Sequence, residues 1–170
     1  MKFLVLLGCV LVSGLAAAQS YSVGIAGAYG DDIEEPGVNL RAYYNLKNDR
    51  ICFGPEFTVF RTRSKTVGNE EEEVSLFEVN VNLHYIFELT EKLGVYPLTG
   101  VNFSREKVEV GSLEEAEEEW GVNLGLGAHY AVGKFTVFTE YDHLFSELNQ
   151  NSFLLGVFFT FGKGGEKTME

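Results

Sequence analysis

Cysteine and positive charge are both scarce in this 170-residue chain. It holds only two cysteines, Cys9 and Cys52, and its 13 Lys and Arg face 25 Asp and Glu, so the formal net charge is −12. No Lys/Arg cluster is present that could neutralise nucleic-acid phosphates. These shortages argue against a disulfide-stabilised domain and against a nucleic-acid partner. Glycine, with 19 residues, and aromatic residues, at 14%, are abundant instead, and together they indicate a β protein.

The first 18 residues have the pattern of a cleaved secretory signal peptide. Lys2 precedes an apolar run over residues 3–12 that is too short to span a bilayer, and Ala16-Ala17-Ala18-Gln19 supplies an A-x-A cleavage site. A permanent membrane anchor and lipidation at Cys9 are the alternatives. We expect export and a mature chain whose only cysteine is Cys52, so that no internal disulfide stabilises it.

A sustained 3.6-residue apolar period is missing after the signal, and the period-2 alternation of strands recurs in its place. The clearest case is 120–130, where apolar residues at even positions oppose Gly, Asn and His at odd positions. Pro97 weakens one strand, because it cannot donate a ladder hydrogen bond, and is expected near a strand start or a bulge. Eight strands are predicted in all, at residues 21–30, 38–47, 51–63, 76–88, 94–105, 120–130, 134–145 and 152–162.

The predicted connections alternate in length, as they do in transmembrane β-barrels. Short turns are predicted at 48–49, 90–92 and 132–133. Longer loops are predicted around residues 31–37, 64–73, 110–118 and 146–151.

The non-apolar strand face decides between two kinds of barrel. It consists mainly of Gly, Asn, Ala, Thr and His, which suit a crowded lumen better than a solvated surface. Every lysine of the mature chain lies at a predicted strand end, turn, loop or tail, where it avoids hydrocarbon. The sequence therefore favours an inside-out membrane barrel. A soluble periplasmic lipocalin-like barrel that binds a small apolar ligand is the alternative.

Several segments resemble the small outer-membrane β-barrel proteins of Gram-negative bacteria, the porin-like family of the OmpX and OmpA membrane-domain type. The resemblance implies a cell outer-membrane location and insertion by the outer-membrane assembly machinery, which reads a C-terminal Gly-x-x-aromatic-x-aromatic strand matched here by Gly156, Phe159 and Phe161. The resembling segments are 95–103, 120–130, 138–142 and 156–161.

Charged residues with inward parity form a candidate lumen network. They could make a proton relay or an active site, but a filled, ion-paired lumen is the reading that the sequence favours. If Glu140 compensates Arg41, removing Glu140 leaves a buried positive charge unpaired. The network consists of Arg41, Glu56, Glu78, His84, His129, Glu140 and Asp142.

The sequence gives no catalytic or cofactor signature. His143 and Ser146 lie near Glu140, but residues three apart on a strand point to opposite faces. His84 and His129 are too far apart in sequence for a local metal motif, so no enzyme activity is predicted.

Three acidic runs contain 13 of the 25 acidic residues and fall in the predicted long loops. One reading is a solvated anionic surface. The other is loose capture of Ca²⁺ or Mg²⁺, which would bridge lipopolysaccharide phosphates to carboxylates. The residues concerned are Asp31, Asp32, Glu34, Glu35, Glu70, Glu71, Glu72, Glu73, Glu114, Glu115, Glu117, Glu118 and Glu119.

The predicted protein is an all-β, eight-stranded antiparallel transmembrane barrel with short periplasmic turns and long acidic extracellular loops. Residues 1–18 are the signal peptide, 19–162 the barrel and 163–170 a polar tail. Its expected role is structural or in surface interaction, as a monomer, with outer-membrane lipid and lipopolysaccharide as partners.

Overall fold

A computed structural model describes residues 20–46, 50–67, 70–147 and 149–162. The predicted signal peptide, the predicted turn at 48–49 and the predicted tail lie outside these residues. Within them, no helix is long and apolar enough to cross a membrane. Ten strand segments are present: β1 Ser20–Gly30, β2 Glu35–Leu46, β3 Ile51–Phe60, β4 Arg63–Val67, β5 Glu70–Tyr85, β6 Phe87–Glu88, β7 Leu93–Val110, β8 Leu113–Val132, β9 Phe135–Phe145 and β10 Asn151–Gly162.

The segments form a closed, antiparallel, eight-stranded barrel. Each strand pairs with its neighbour in sequence, and β1 pairs with β10 from Ser20↔Gly162 to Gly30↔Ser152, which closes the ring. The segments β4 and β6 continue β3 and β5 beyond short breaks. The eight predicted strands are therefore confirmed, and closure leaves the barrel without a free edge in its wall.

Two prolines lie inside strands where the ladder is interrupted. Pro97 of β7 lies beside the break at Ile86 that separates β5 from β6, which agrees with its predicted place. Pro55 lies in β3 beside a gap in its pairing with β2. At that gap Gly54 comes so close to β2 that an added Cβ would fall 1.9 Å from the Ala42 carbonyl oxygen. Glycine is therefore required at residue 54.

The two faces of the barrel wall follow the predicted alternation. On β2, Val38 and Leu40 are each 53% exposed, whereas Asn39 and Arg41 between them are 1% and 4% exposed. Strand β8 repeats the pattern, with Leu124 outside and Asn123 inside. Because the apolar face points outward and the polar face fills the centre, the lipocalin-like alternative is wrong.

Two rings of aromatic residues bound the outward apolar band, as the girdles of membrane barrels do. Neighbouring rings are in contact, for example Tyr21 and Tyr44 at 5.4 Å and Phe103 and Trp120 at 5.2 Å between centroids. One girdle, at the end where the termini meet, consists of Tyr21, Tyr44, Phe53, Tyr85, Phe87, Phe135, Phe159 and Phe161. The other consists of Tyr29, Phe57, Phe77, Phe103, Trp120, Tyr141, Phe145 and Phe153.

The prediction of long loops is wrong for 64–73 and 110–118. Residues 64–67 and 70–73 belong to β4 and β5, and residues 110 and 113–118 belong to β7 and β8, joined by a turn at 111–112; these four strands continue beyond the second girdle as a sheet. Two of the glutamates lie opposite a cation, in the pairs Lys65↔Glu72 and Arg105↔Glu118, which stabilises the sheet, whereas Glu106↔Glu117 and Glu109↔Glu114 are like-charge pairs. We call this region, residues 63–67, 70–76 and 104–119, the protruding sheet.

The lumen is closed below the protruding sheet by buried apolar side chains that we call the apolar cap. It consists of Ile33, Phe60, Val74 and Leu76, which are 1–4% exposed. Ile33 lies in the turn between β1 and β2, so this turn folds inward over the barrel. The cap separates a polar lumen from the protruding sheet.

Candidate functional site

Arg41 is the centre of the predicted lumen network. Its guanidinium lies 2.8 Å from Glu56 Oε2 and 2.5 Å from Glu140 Oε2, and all three side chains are almost fully buried. The same guanidinium stands 4.5 Å above the Phe138 ring. Strand β2 places Arg41 directly opposite Glu56 of β3, whereas Glu140 reaches it across the lumen from β9. One cation thus holds two carboxylates.

Neutral donors complete the surroundings of the two carboxylates. Asn82 Nδ2 donates to Glu56 Oε1 at 2.6 Å, Tyr43 also donates to Glu56, and Tyr96 donates to Glu140 Oε1 at 2.8 Å. A buried charge is tolerated only when it is paired and hydrogen-bonded in this way. The arrangement therefore supports the structural reading of these residues.

The two predicted histidines have different places. His84 is 3% exposed, stacks on Tyr96 at 4.9 Å between ring centroids, and lies 3.0 Å from the Tyr43 hydroxyl through Nε2. His129 is half-buried and also stacks on Tyr96, at 5.9 Å between ring centroids. The lumen therefore brings His84 to the Arg41 network through Tyr43, while His129 contributes ring packing.

Glu78 and Asp142 face the lumen but do not touch Arg41. Gln150, from the connection between β9 and β10, donates through Nε2 to Glu78 Oε1 at 2.8 Å. Asp142 Oδ1 is buried and makes no hydrogen bond. The seven predicted residues thus divide into the Arg41 network, a Glu78 and Asp142 region nearer the apolar cap, and His129.

Three functional neighbours were missed by the sequence interpretation. Tyr43 and Tyr96 could have been found, since each alternates inward on its strand. Gln150 could not, because it lies outside the strands and its reach to Glu78 depends on the path of the connection.

His143 and Ser146 do not form a nucleophilic pair in the described structure. His143 Nδ1 lies 2.8 Å from Asn151 Oδ1, and Ser146 Oγ is buried without a hydrogen-bond partner. Because no base is hydrogen-bonded to the Ser146 hydroxyl, this serine is not activated as a nucleophile.

Asp31 joins the turn between β1 and β2 to the start of β10. Its carboxylate accepts hydrogen bonds from Asn151 N at 2.7 Å and Asn151 Nδ2 at 2.6 Å. These hydrogen bonds, chiefly the one from the Asn151 side chain, lower the pKa of the Asp31 carboxyl group. The adjacent Ile33 amide lies 3.4 Å from Gln150 Oε1, so both connections hold the apolar cap in place.

The acidic residues of the protruding sheet lie on both of its faces. The outward face carries compensating cations, since Lys107 Nζ lies 2.6 Å from Glu109 Oε1 and 3.1 Å from Glu114 Oε1, and Arg105 lies 3.8 Å from Glu118. The hydrogen bonds from Lys107 to Glu109 and Glu114 raise the pKa of the Lys107 ammonium group. Glu109, Glu114 and Glu118 therefore each lie near a cation.

Glu117 and Glu119 of the inward face meet Glu147, which comes from the connection after β9. Carboxylate oxygens of Glu117, Glu119 and Glu147 lie within 4.8 Å of one another. Burial, followed by the charge of Asp32, raises the pKa of nearby Glu106. Of the thirteen predicted cation candidates, Asp31, Asp32 and Glu34 lie in the turn after β1, while Glu35, Glu70–Glu73 and the five glutamates of 114–119 lie in strands.

The predicted assembly signal occupies the strand that closes the barrel. Phe159 and Phe161 of β10 point outward with 40% and 44% exposure, and both belong to the first girdle. Gly156 packs against β1, where an added Cβ would come within 2.4 Å of the Ile25 carbonyl oxygen. Recognition of this strand by the outer-membrane assembly machinery stays a prediction.

The filled lumen predicts that the protein is not a general pore. Eight strands enclose a space that side chains can fill, and open porins need about sixteen. Purified protein in a planar bilayer is expected to show no steady conductance of general-porin size. Stable openings of that size would contradict the packed lumen.

The comparisons with known proteins agree with this architecture. The family model described as outer membrane protein beta-barrel domain matches residues 3–161. Among curated proteins, the sequence finds no match.

Solved structures with the same fold come from several bacteria. The attachment invasion locus protein Ail of Yersinia pestis is 18% identical with a TM-score of 0.62, over 84% of this chain and 97% of Ail. The N-terminal barrel domain of Pseudomonas aeruginosa OprF is 15% identical with a TM-score of 0.69, over 85% and 98%. Neisserial surface protein A is 15% identical with a TM-score of 0.59, over 83% and 94%. At these identities the likeness concerns the fold alone.

Proposed function

The chain belongs to the outer membrane protein beta-barrel domain family, and we propose that it is a surface-interaction protein whose protruding sheet captures divalent cations at the lipopolysaccharide headgroups. Its location is the outer membrane. The barrel anchors the sheet, and the observation that carries the proposal is the meeting of Glu117 and Glu119, on the sheet's inward face, with Glu147 of the connection after β9. Among the described residues, no Lys or Arg forms an ion pair with these three carboxylates.

The distance by which β8 extends beyond the membrane–water interface supports the proposed cation capture at the lipopolysaccharide headgroups. Trp120 is 73% exposed in the second girdle, and aromatic girdles mark the membrane–water interface. Strand β8 reaches seven residues beyond it to Leu113, about 23 Å along the strand at roughly 3.3 Å per residue. Its glutamates therefore begin where the phosphates of the outer leaflet lie.

Carboxylates and lipid phosphates repel one another unless a cation lies between them. Oxygen ligands of both kinds suit Ca²⁺ and Mg²⁺. A divalent ion would therefore link the protruding sheet to lipopolysaccharide. The same charge argues against a polyanion ligand of the kind seen in the complex of Ail with the heparin analogue sucrose octasulfate.

Millimolar Ca²⁺ is expected to protect the protruding sheet of the full chain, refolded in lipopolysaccharide-containing vesicles, from protease. The double variant Glu117→Gln/Glu119→Gln should lose most of this protection, measured as the cleavage rate within residues 104–119. The matched control is Glu114→Gln/Glu118→Gln, which removes two glutamates of the same strand that already face Lys107 and Arg105.

Monovalent salt separates ion capture from screening. At matched ionic strength Na⁺ screens over a Debye length of about 8–10 Å without preference for the ion. Equal protection by Na⁺, or equal loss in both double variants, would reduce the glutamates to a solvated anionic surface.

A further inference from the structure

A small polar cavity lies in the lumen directly beneath the apolar cap. It has room for about one water molecule. Oxygen-bearing side chains supply most of its lining: the carboxylates of Glu56, Glu78 and Asp142, the hydroxyls of Thr58 and Ser152, and the amides of Asn39 and Asn80.

The strand register builds this lining from two matching pairs. Asp142 of β9 lies opposite Ser152 of β10, and Glu78 of β5 lies opposite Thr58 of β3. Directly opposed residues of an antiparallel pair have Cβ atoms about 4.5–5.5 Å apart. Each side of the cavity therefore presents one carboxylate beside one hydroxyl.

The charges around the cavity do not balance. Among the described residues lining the lumen below the cap, four carboxylates accompany one guanidinium, Arg41, and Arg41 is already bound to Glu56 and Glu140. Glu78 receives a hydrogen bond from the neutral Gln150 amide. Asp142 Oδ1 is buried without a partner at the edge of the cavity. Buried carboxylates in this situation are neutralised either by a bound cation or by a proton.

We propose that the cavity binds a single calcium ion, with Asp142 and Glu78 as its charged ligands and the hydroxyls of Ser152 and Thr58 among its neutral ligands. All of these donors are oxygen, the ligand type of hard cations, and no thiol or imidazole lines the cavity. Calcium accepts irregular oxygen coordination, whereas magnesium usually keeps several waters, for which this cavity has no room. The ion would neutralise Asp142 and Glu78 and join β9 and β10 to β3 and β5.

The calcium site is independent of the proposed surface function, and the experiment removes surface binding first. The background variant Glu117→Gln/Glu119→Gln/Glu147→Gln, as a full chain refolded in vesicles, is equilibrated with Ca²⁺, washed and assayed for bound calcium by elemental analysis. One calcium per chain is expected in this background. Adding Asp142→Asn should abolish it, whereas the control Asp32→Asn, which removes an exposed carboxylate from a turn, should leave it unchanged.

Denaturant unfolding provides a second readout. Calcium should raise the unfolding midpoint of the background and of Asp32→Asn but not that of Asp142→Asn, and magnesium at the same concentration should raise it less. If Asp142→Asn does not fold, Ser152→Ala is expected to weaken calcium affinity about tenfold, because it removes a neutral ligand and keeps the charge.

Three results would overturn the proposal. These are the absence of bound calcium in the background, equal calcium in Asp142→Asn, and unchanged affinity in Ser152→Ala. A midpoint that responds to pH but not to calcium would mean that protons neutralise these carboxylates.

Discussion

Replacing Arg41 with methionine is expected to lower the free energy of unfolding by about 3–5 kcal/mol. The substitution removes the cation that Glu56 and Glu140 share and leaves both carboxylates buried. It also removes a cation from above the Phe138 ring. The loss can be followed in lipid vesicles through the fluorescence of Trp120, the only tryptophan of the chain.

Two variants test whether the loss comes from stranded charge. The triple variant Arg41→Met/Glu56→Gln/Glu140→Gln removes all three charges and is expected to regain much of the stability, because an intact buried ion pair is of little net value relative to neutral packing. Arg61→Met is the control, since its side chain is 76% exposed and lies 3.9 Å from Glu35; it should change stability by about 0–1 kcal/mol. An equally small effect of Arg41→Met would mean that the lumen is hydrated.

The structure changes the expectation for Glu140. Its removal does not leave Arg41 unpaired, as the sequence suggested, because Glu56 stays 2.8 Å from the guanidinium. Glu140→Ala instead deprives Tyr96 and Arg41 of one acceptor each. Its cost should therefore be smaller than that of Arg41→Met.

Alternation was sufficient to predict which side chains of strands such as β2 face the lumen. A strand has a side-chain period of two, so Asn39 and Arg41 had to share the face opposite Val38 and Leu40. The pairing of Arg41 with Glu140 was beyond the sequence, because it depends on how β9 lies across the lumen from β2 after the barrel has closed.

The larger error of the sequence interpretation was to make several strands too short and to assign their ends to loops. Runs such as Glu70–Glu73 have low β propensity, which favours a loop when the sequence is considered alone. In the structure, β4 and β7 supply Lys65 and Lys107 across from β5 and β8, and this tertiary pairing overrides the local preference. Most of the thirteen acidic residues assigned to loops therefore lie in strands.

Replacing Ile25 with arginine should cost about 2–4 kcal/mol if the apolar band faces hydrocarbon. Ile25 is 50% exposed on β1, midway between Tyr21 and Tyr29 of the two girdles, where a cation would lie near the bilayer midplane. The measurement is the free energy of unfolding in lipid vesicles, again followed through Trp120.

The matched control for Ile25→Arg lies on the same face of the same strand. Tyr29→Arg places the cation four residues away in the second girdle, where the cost of charge falls to about 0–1 kcal/mol, apart from the lost contacts of the ring. The difference between the two variants depends on depth in the bilayer, because a barrel surrounded by water would penalise neither position in this way. Equal costs at 25 and 29 would contradict the position assigned to the membrane, and a larger cost at 29 would reverse it.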